Sequence, residues 1–540
     1  MEFPTVEGIQ MVPGTIHIVD LEGTMNVKHQ KGGQKDIILV PQPTNDPNDP
    51  LNWSRFRKEY HFWLLWIWGF IAAVSVNWIG PVWTQFTIDL KTNFVQLNIA
   101  AALCFLFLGI GCVVMQPIAM KIGRRPVYIT GTLFNLSGCI LGSFQRSVET
   151  FWVVSILGGV AGAPVDSLVQ VTTTDIFFAH EKGTRLSLYI FTMYAGSYLG
   201  PVAAGYIADS QGWRWCFRYL AIFFGVLLVL QIFTMEESIF RRPPTPSEIA
   251  DESVLEDKMQ AVEKGPDTLH VTESASSAPP PPKSYWQRMG LWNTTYSDPR
   301  PLWLVALSPF FLLTYPAVMW GGLVYGIQIM WLSLITVTQS ATFSAPPYNF
   351  SITNVGNTNF AAFIGGILGM FWGGSVSDWC ILRLSRRNKG IMEPEFRLWT
   401  MLIPAILNTG GLLMYGLGSL YGVHWILPAG FGMALIGFGI GSGAAIAMTY
   451  AVDCYPRATS EALVLMLFIR NLIGTGFTFA IEPWLEHNGL QNTTIIMAIL
   501  CFVANMSFLL MVWKGKSMRV WTAKRYFRLM QQKAKYAVGS

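Results

Sequence analysis

The chain has 540 residues, of which 52% are apolar and only 13% charged, and its net charge is +5. Charge at half the usual ~25% cannot cover the surface of a soluble protein of this size, and an excess of five bases does not make a nucleic-acid-binding surface. Whole-chain disorder, a collagen-like repeat and a small disulfide scaffold are excluded as well, which leaves a polytopic membrane protein.

A helix needs about 20 apolar residues to cross the hydrocarbon layer. By that measure twelve spans are predicted. Six lie at 62–85, 97–118, 127–144, 151–173, 187–208 and 216–234. Six more lie at 308–337, 356–377, 398–419, 425–450, 461–483 and 493–513. The seventh carries Pro309 and Pro316, which are expected to bend or divide it. The first long apolar run begins near Phe62, so the first span is expected to serve as the targeting signal. The polar segment 236–301, with Pro279 to Pro282, reads as a linker. The resulting organisation is a tail (1–61), a six-helix bundle (62–235), the linker (236–301), a second bundle (302–513) and a basic tail (514–540). The fold class is all-α membrane protein, with two pseudo-symmetric six-helix bundles.

Basic residues in short loops set orientation. Lys121, Arg124 and Arg125 follow span 2, and Arg383, Arg386, Arg387 and Lys389 follow span 8. The tail after 513 holds eight bases and no acid. With twelve spans these segments share one side, which is expected to be cytosolic together with both termini. Among the N-x-S/T triplets, Asn349 and Asn492 then fall outside the cell and are expected to carry glycan, whereas Asn52 and Asn293 fall inside.

The two halves echo one another. Gly123-Arg124-Arg125 follows span 2, and Ser385-Arg386-Arg387 follows span 8, 262 residues later. Asp378 precedes the second pair. Such repeats are typical of secondary transporters, whose site lies at the repeat interface near mid-membrane.

The segment "PIAMKIGRRPVY" (117–128) resembles the loop 2–3 signature of the major facilitator superfamily, and "GSYLGPVAAG" (196–205) is similar to the span-5 signature of its antiporters. The segments "DPLNWS" (49–54), "DIFFAHEKGTRLSLY" (175–189), "GWRWCFRY" (212–219), "PPYNFS" (346–351) and "GIMEPEFRLW" (390–399) resemble fungal members, with the twelve-span drug:proton antiporters the best subfamily match. The resemblance implies alternating access, with the loop 2–3 bases acting as a gate lock. Three positions depart from the usual pattern. Met120 stands for an Asp of the loop signature, Ser155 for an Arg of the span-4 signature, and Ala204 for a Gly of the span-5 signature. They alter the N-half lock and leave room for proton-coupled uptake.

Intramembrane ionisable residues are costly and commonly face a cavity or a partner. Asp166, well inside span 4, is the strongest candidate for taking up a proton or pairing with a cationic substrate. Glu482 in span 11 is a second. Arg470 is expected to make a structural pair with Asp453 or Glu461. Cavity candidates are Asn77, Trp78, Tyr194, Tyr198, Trp320, Tyr325, Asn357 and Asn359, since aromatic faces hold organic cations. Gating falls to Lys121, Gly123, Arg124, Arg125, Asp378, Arg386 and Arg387. Gly196, Gly200, Pro201 and Gly205 form a close-packing helix motif.

The seven cysteines form no C-x-x-C, the histidines are scattered, and neither a Walker A sequence nor G-x-S-x-G is present. No metal, cofactor or enzymatic activity is therefore expected. The expected partners are a small-molecule substrate, protons and the lipid bilayer, around a monomer. The expected function is proton-coupled efflux of hydrophobic or cationic organic compounds across the plasma membrane. The alternatives are proton-driven uptake of a cationic nutrient such as a polyamine, and a non-transporting sensor, which the short C-terminal tail disfavours.

Overall fold

The structure is a computed structural model that describes residues 5–6, 9–10, 12–17, 46–240, 284–290, 300–388 and 391–538. Most of the linker, most of the N-terminal tail and Asn293 lie outside these residues.

Among the described residues, ten helical stretches are long and apolar enough to cross a membrane. The N-half holds α1 (Arg55–Asp89), α2 (Phe94–Ile122), α3 (Arg124–Phe144), α4 (Val148–Ile176), α5 (Ala179–Gln211) and α6 (Arg214–Thr234). Of these, α5 is as long as its neighbours but less apolar. The C-half holds α7 (Pro316–Ser344), α8 (Ile352–Arg387), α9 (Pro394–Leu420) and α10 (Ile426–Cys454). The stretch Thr459–Met506 breaks at Gly489, whose φ of +73° suits a residue without Cβ. The break separates α11 (459–488) from α12 (490–506), which continues as α13 (Phe508–Val538). The chain reverses there. Ascending α7, Tyr325 and Ser333 meet Arg470 and Thr478 of α11 in the same order, whereas Trp320 and Gln328 meet Ser507, just past α12, and Asn505 of α12 in the opposite order. Twelve crossings result, and both described chain ends share one face, here called the terminal face.

Helix starts follow ordinary capping chemistry. The side chains of Ser54, Asn93, Ser147 and Ser351 each accept a backbone N–H three residues on. The seventh span differs from expectation. Tyr315 is extended and Pro316 opens α7, so the span is 316–344 and residues Leu302–Thr314 form a separate short helical segment. Proline suits a first helical turn because its missing N–H is not needed there. Among the described residues, four two-residue strands accompany the helices. Thr5–Val6 pairs with Ile9–Gln10, and Ile16–His17 with Ile391–Met392.

The second pairing belongs to a strap, residues 12–17, seated on the C-half. The buried Arg519 guanidinium holds Glu395 at 2.9 and 2.7 Å and donates to the Pro13 carbonyl at 2.6 Å. Gly14 sits at φ +81°, where a Cβ would come within 2.5 Å of the Asp453 carbonyl.

Glycines bring the spans together. A Cβ at Gly196 would meet the Phe70 carbonyl at 2.6 Å, and one at Gly200 would meet Val74 at 3.2 Å, so these two seat α5 on α1 within the N-half. Gly205 instead faces α8 of the other half, beside Gly356, and a Cβ on Gly356 would lie 2.9 Å from the Pro201 carbonyl. Small residues at a crossing allow this close approach.

Candidate functional site

Between the halves lies a chamber of about 1190 Å³, counting the part continuous with solvent. Its walls come from α1, α2, α4 and α5 on one side and α7, α10 and α11 on the other, and they are mostly apolar. Five sequence candidates meet in it: Asn77, Asp166, Tyr194 and Tyr198, and Tyr325 from α7.

At its centre Asp166 of α4 and Arg470 of α11 form an ion pair across the two halves. Arg470 also donates to the Tyr325 hydroxyl at 2.9 Å and to Asn471 Oδ1 at 3.2 and 3.0 Å, and its guanidinium lies 5.0 Å from the Tyr325 ring centroid. Arginine is 6% exposed here, so its charge is held by these partners rather than by water. Tyr194 reaches the Ile440 carbonyl across the interface at 3.2 Å and stacks on Tyr198 at 6.4 Å between centroids. Asn77 is fixed by its own helix and by Ser197, each at 3.1 Å.

The expected partners of Arg470 are thereby corrected. Asp453 pairs with Arg397 at 3.2 Å, and Glu461 lies 3.9 Å from Arg300. The reason is position along the helix. Nine residues separate Glu461 from Arg470, a rise of roughly 14 Å, so the two sit at different depths.

The remaining candidates disperse. Trp78 is buried edge-on against Phe217 at 4.8 Å and lines a neighbouring cavity. Trp320 donates to Ser507 at 2.8 Å, outside the chamber. Asn357 donates to the Tyr206 hydroxyl at 3.3 Å, and buried Asn359 to Gln339 at 2.9 Å. Glu482 lines a separate pocket of about 680 Å³ with Thr338 and Tyr415. Asn349 and Asn492 are exposed on the face opposite the termini, between α7 and α8 and in the first turn of α12, while exposed Asn52 precedes α1.

On the terminal face, Gly123 at φ +117° turns α2 into α3, and the Glu237 carboxylate accepts the Arg124 and Arg125 backbone N–H groups at 3.0 Å each. This anion at a helix N-terminus is favoured by the helix dipole. The Arg124 side chain pairs with Asp175, and that of Arg125 donates to the carbonyls of Ile232, at 2.6 Å, and Met289. Lys121 is half-buried in the last turn of α2. In the C-half, Asp378 pairs at 2.9 Å with Arg397, while Arg386 and Arg387 are exposed. Sequence reasoning missed Arg397, Asp175 and Glu237, and gave Asp453 a different partner. The segment "GIMEPEFRLW" contained Arg397 as a signal.

Among the described residues, the ion pairs Arg124–Asp175, Arg397–Asp378 and Arg397–Asp453 on this face each join elements of one half. Outside the chamber, the described hydrogen bonds between the halves cluster on the opposite face. Ser340 bonds Thr84 at 2.7 Å and the Pro81 carbonyl at 3.2 Å, and Thr353 bonds Asp209 at 2.7 Å. The chamber is therefore closed on the side away from the termini.

The profile of the Major Facilitator Superfamily matches residues 65–478. An MFS-type transporter of Schizosaccharomyces pombe is 33% identical over 97% of this chain and 95% of its own. Protein HOL1 of Saccharomyces cerevisiae is 30% identical over 96% of this chain and 97% of its own. The fold is shared with the crystal structure of the peptide transporter POT in complex with sulfate, at a TM-score of 0.58 and 12% identity over 86% of this chain and 95% of that one. With two six-helix halves around one chamber, and a profile match over most of its length, this multi-pass membrane protein belongs to the major facilitator superfamily of transporters.

Proposed function

We propose that the protein is a proton-coupled transporter that exports hydrophobic or cationic organic compounds by alternating access. The observation that carries this reading is the Asp166–Arg470 pair inside the chamber. One carboxylate serves two claimants. A substrate ammonium competes with the Arg470 guanidinium for Asp166, and a proton on Asp166 ends both attractions. Removing one partner of a buried pair is strongly destabilising, so protonation changes the relative stability of states that keep or part the pair. The apolar walls and the faces of Tyr194 and Tyr198 suit the hydrophobic body of such a compound.

The positive-inside rule places the terminal face in the cytosol. The state described is then closed to the outside, and compounds load from the cytosolic side of a plasma-membrane protein.

The test is flux of a radiolabelled organic cation into vesicles reconstituted with the full chain. Accumulation driven by an inside-acidic gradient supports antiport, and accumulation driven by an outside-acidic one supports uptake instead. Asp166→Asn is expected to abolish gradient-driven accumulation. Unchanged flux in that variant would falsify the coupling role.

A further inference from the structure

The chamber has a neighbour of about 830 Å³, counting the part continuous with solvent, lined mainly by the N-half with Ser333, Thr336 and Val337 of α7, and Val76, Asn77 and Phe105 line both spaces. None of the described residues lining this second space is charged, whereas the chamber holds Asp166 and Arg470. It lies toward the closed face. Ser155 lines it, eleven residues before Asp166 on α4, which is roughly 16 Å along the helix.

Two of its lining side chains are buried hydrogen-bond donors left without acceptors. Asn135, 3% exposed, has its Oδ1 engaged by the Ser75 hydroxyl at 3.4 Å, yet its Nδ2 has no partner. Trp83, fully buried, has no partner for its indole N–H. An unmade hydrogen bond of this kind costs ~1–3 kcal/mol each, and both nitrogens are closed over in this state, so an acceptor in the space reaches them once the wall parts. Carboxylates are absent, and both free groups donate.

We propose that this space is a second limb of the substrate site, which takes the uncharged, hydrogen-bond-accepting end of an elongated compound whose cationic end lies at Asp166. Asn135 and Trp83 then set specificity by donating to a carbonyl, ether or hydroxyl oxygen. The limb selects for length as well as for an acceptor. The inference rests on the cation reading above for its other end.

The test uses two probes of matched length, N-acetyl-1,10-diaminodecane and 1-aminotridecane, binding to the purified full chain in lipid nanodiscs, with empty nanodiscs subtracted. The acetylated probe is expected to bind about tenfold more tightly, the range of one or two such hydrogen bonds. Asn135→Leu and Trp83→Phe are each expected to lower that ratio, and the double variant to bring it near one. A ratio near one in the native protein, or a ratio retained in the double variant, overturns the limb and leaves that space to water. The head group is read separately with Asp166→Asn. Weaker binding of both probes with the ratio kept supports both ends. Unchanged affinities, with a ratio still governed by Asn135, overturn the cation reading and leave the limb standing. Failure of both probes to bind the native protein overturns both.

Discussion

Buried charges in this protein are held in sets, and each set has a different job. Asp166 and Arg470 join the halves, whereas Arg519 and Glu395 join α13 to the start of α9 and hold the strap through the Pro13 carbonyl. Arg519 is fully buried. Arg519→Met leaves Glu395 without its partner, so a loss of about 3–5 kcal/mol is expected. Thermal unfolding of the purified variant measures it, and Arg519→Met with Glu395→Leu is expected to recover most of the loss. Asp166 was legible from sequence as a candidate because a carboxylate inside an apolar run is rarely idle, and it lines the chamber. Its partner was not. Arg470 lies 304 positions away, and nothing local to either residue encodes that meeting.

At the scale of elements, α5 is a helix with two kinds of small-residue face. Gly196 and Gly200 serve packing inside the N-half, and Gly205 serves the contact with α8 that closes one face of the chamber. The four-residue spacing was readable in the sequence, but the division of labour between the glycines was not, because it depends on which helix lies opposite each turn. Gly356→Val puts a side chain 2.9 Å from the Pro201 carbonyl, where backbone cannot yield. That variant is expected to disfavour the closed face. A Thr84→Cys reporter should then react faster with a membrane-impermeant maleimide applied from that side, and an unchanged rate would show that the crossing tolerates the bulk. Span 7 shows the same limit. Its prolines announced a break, and only the extended Tyr315 decided that the helix begins at Pro316.

For the whole molecule, the two faces are asymmetric. Hydrogen bonds cross the halves on one, while ion pairs keep within each half on the other. A transporter that works by rocking must break the first set. Thr84→Cys with Ser340→Cys, at positions whose hydroxyls are 2.7 Å apart, is therefore expected to form a disulfide under oxidation that stops flux, with reductant restoring it. Full flux in the crosslinked protein would mean that this face stays shut throughout the cycle.

Composition and the spacing of apolar runs determined the membrane class, the twelve crossings and the duplicated plan, because a lipid-spanning helix must be apolar over a fixed length whatever surrounds it. The loop signatures placed Gly123 and Arg124 at the terminal face for a similarly local reason: only a few residues need be read together. Tertiary structure alone decided which residues share the chamber. It drew Asp166, Tyr194, Tyr198 and Arg470 into one space and left Trp320, Asn359 and Glu482 elsewhere. Helix rotation and depth control that choice, and they are set by packing between segments hundreds of residues apart.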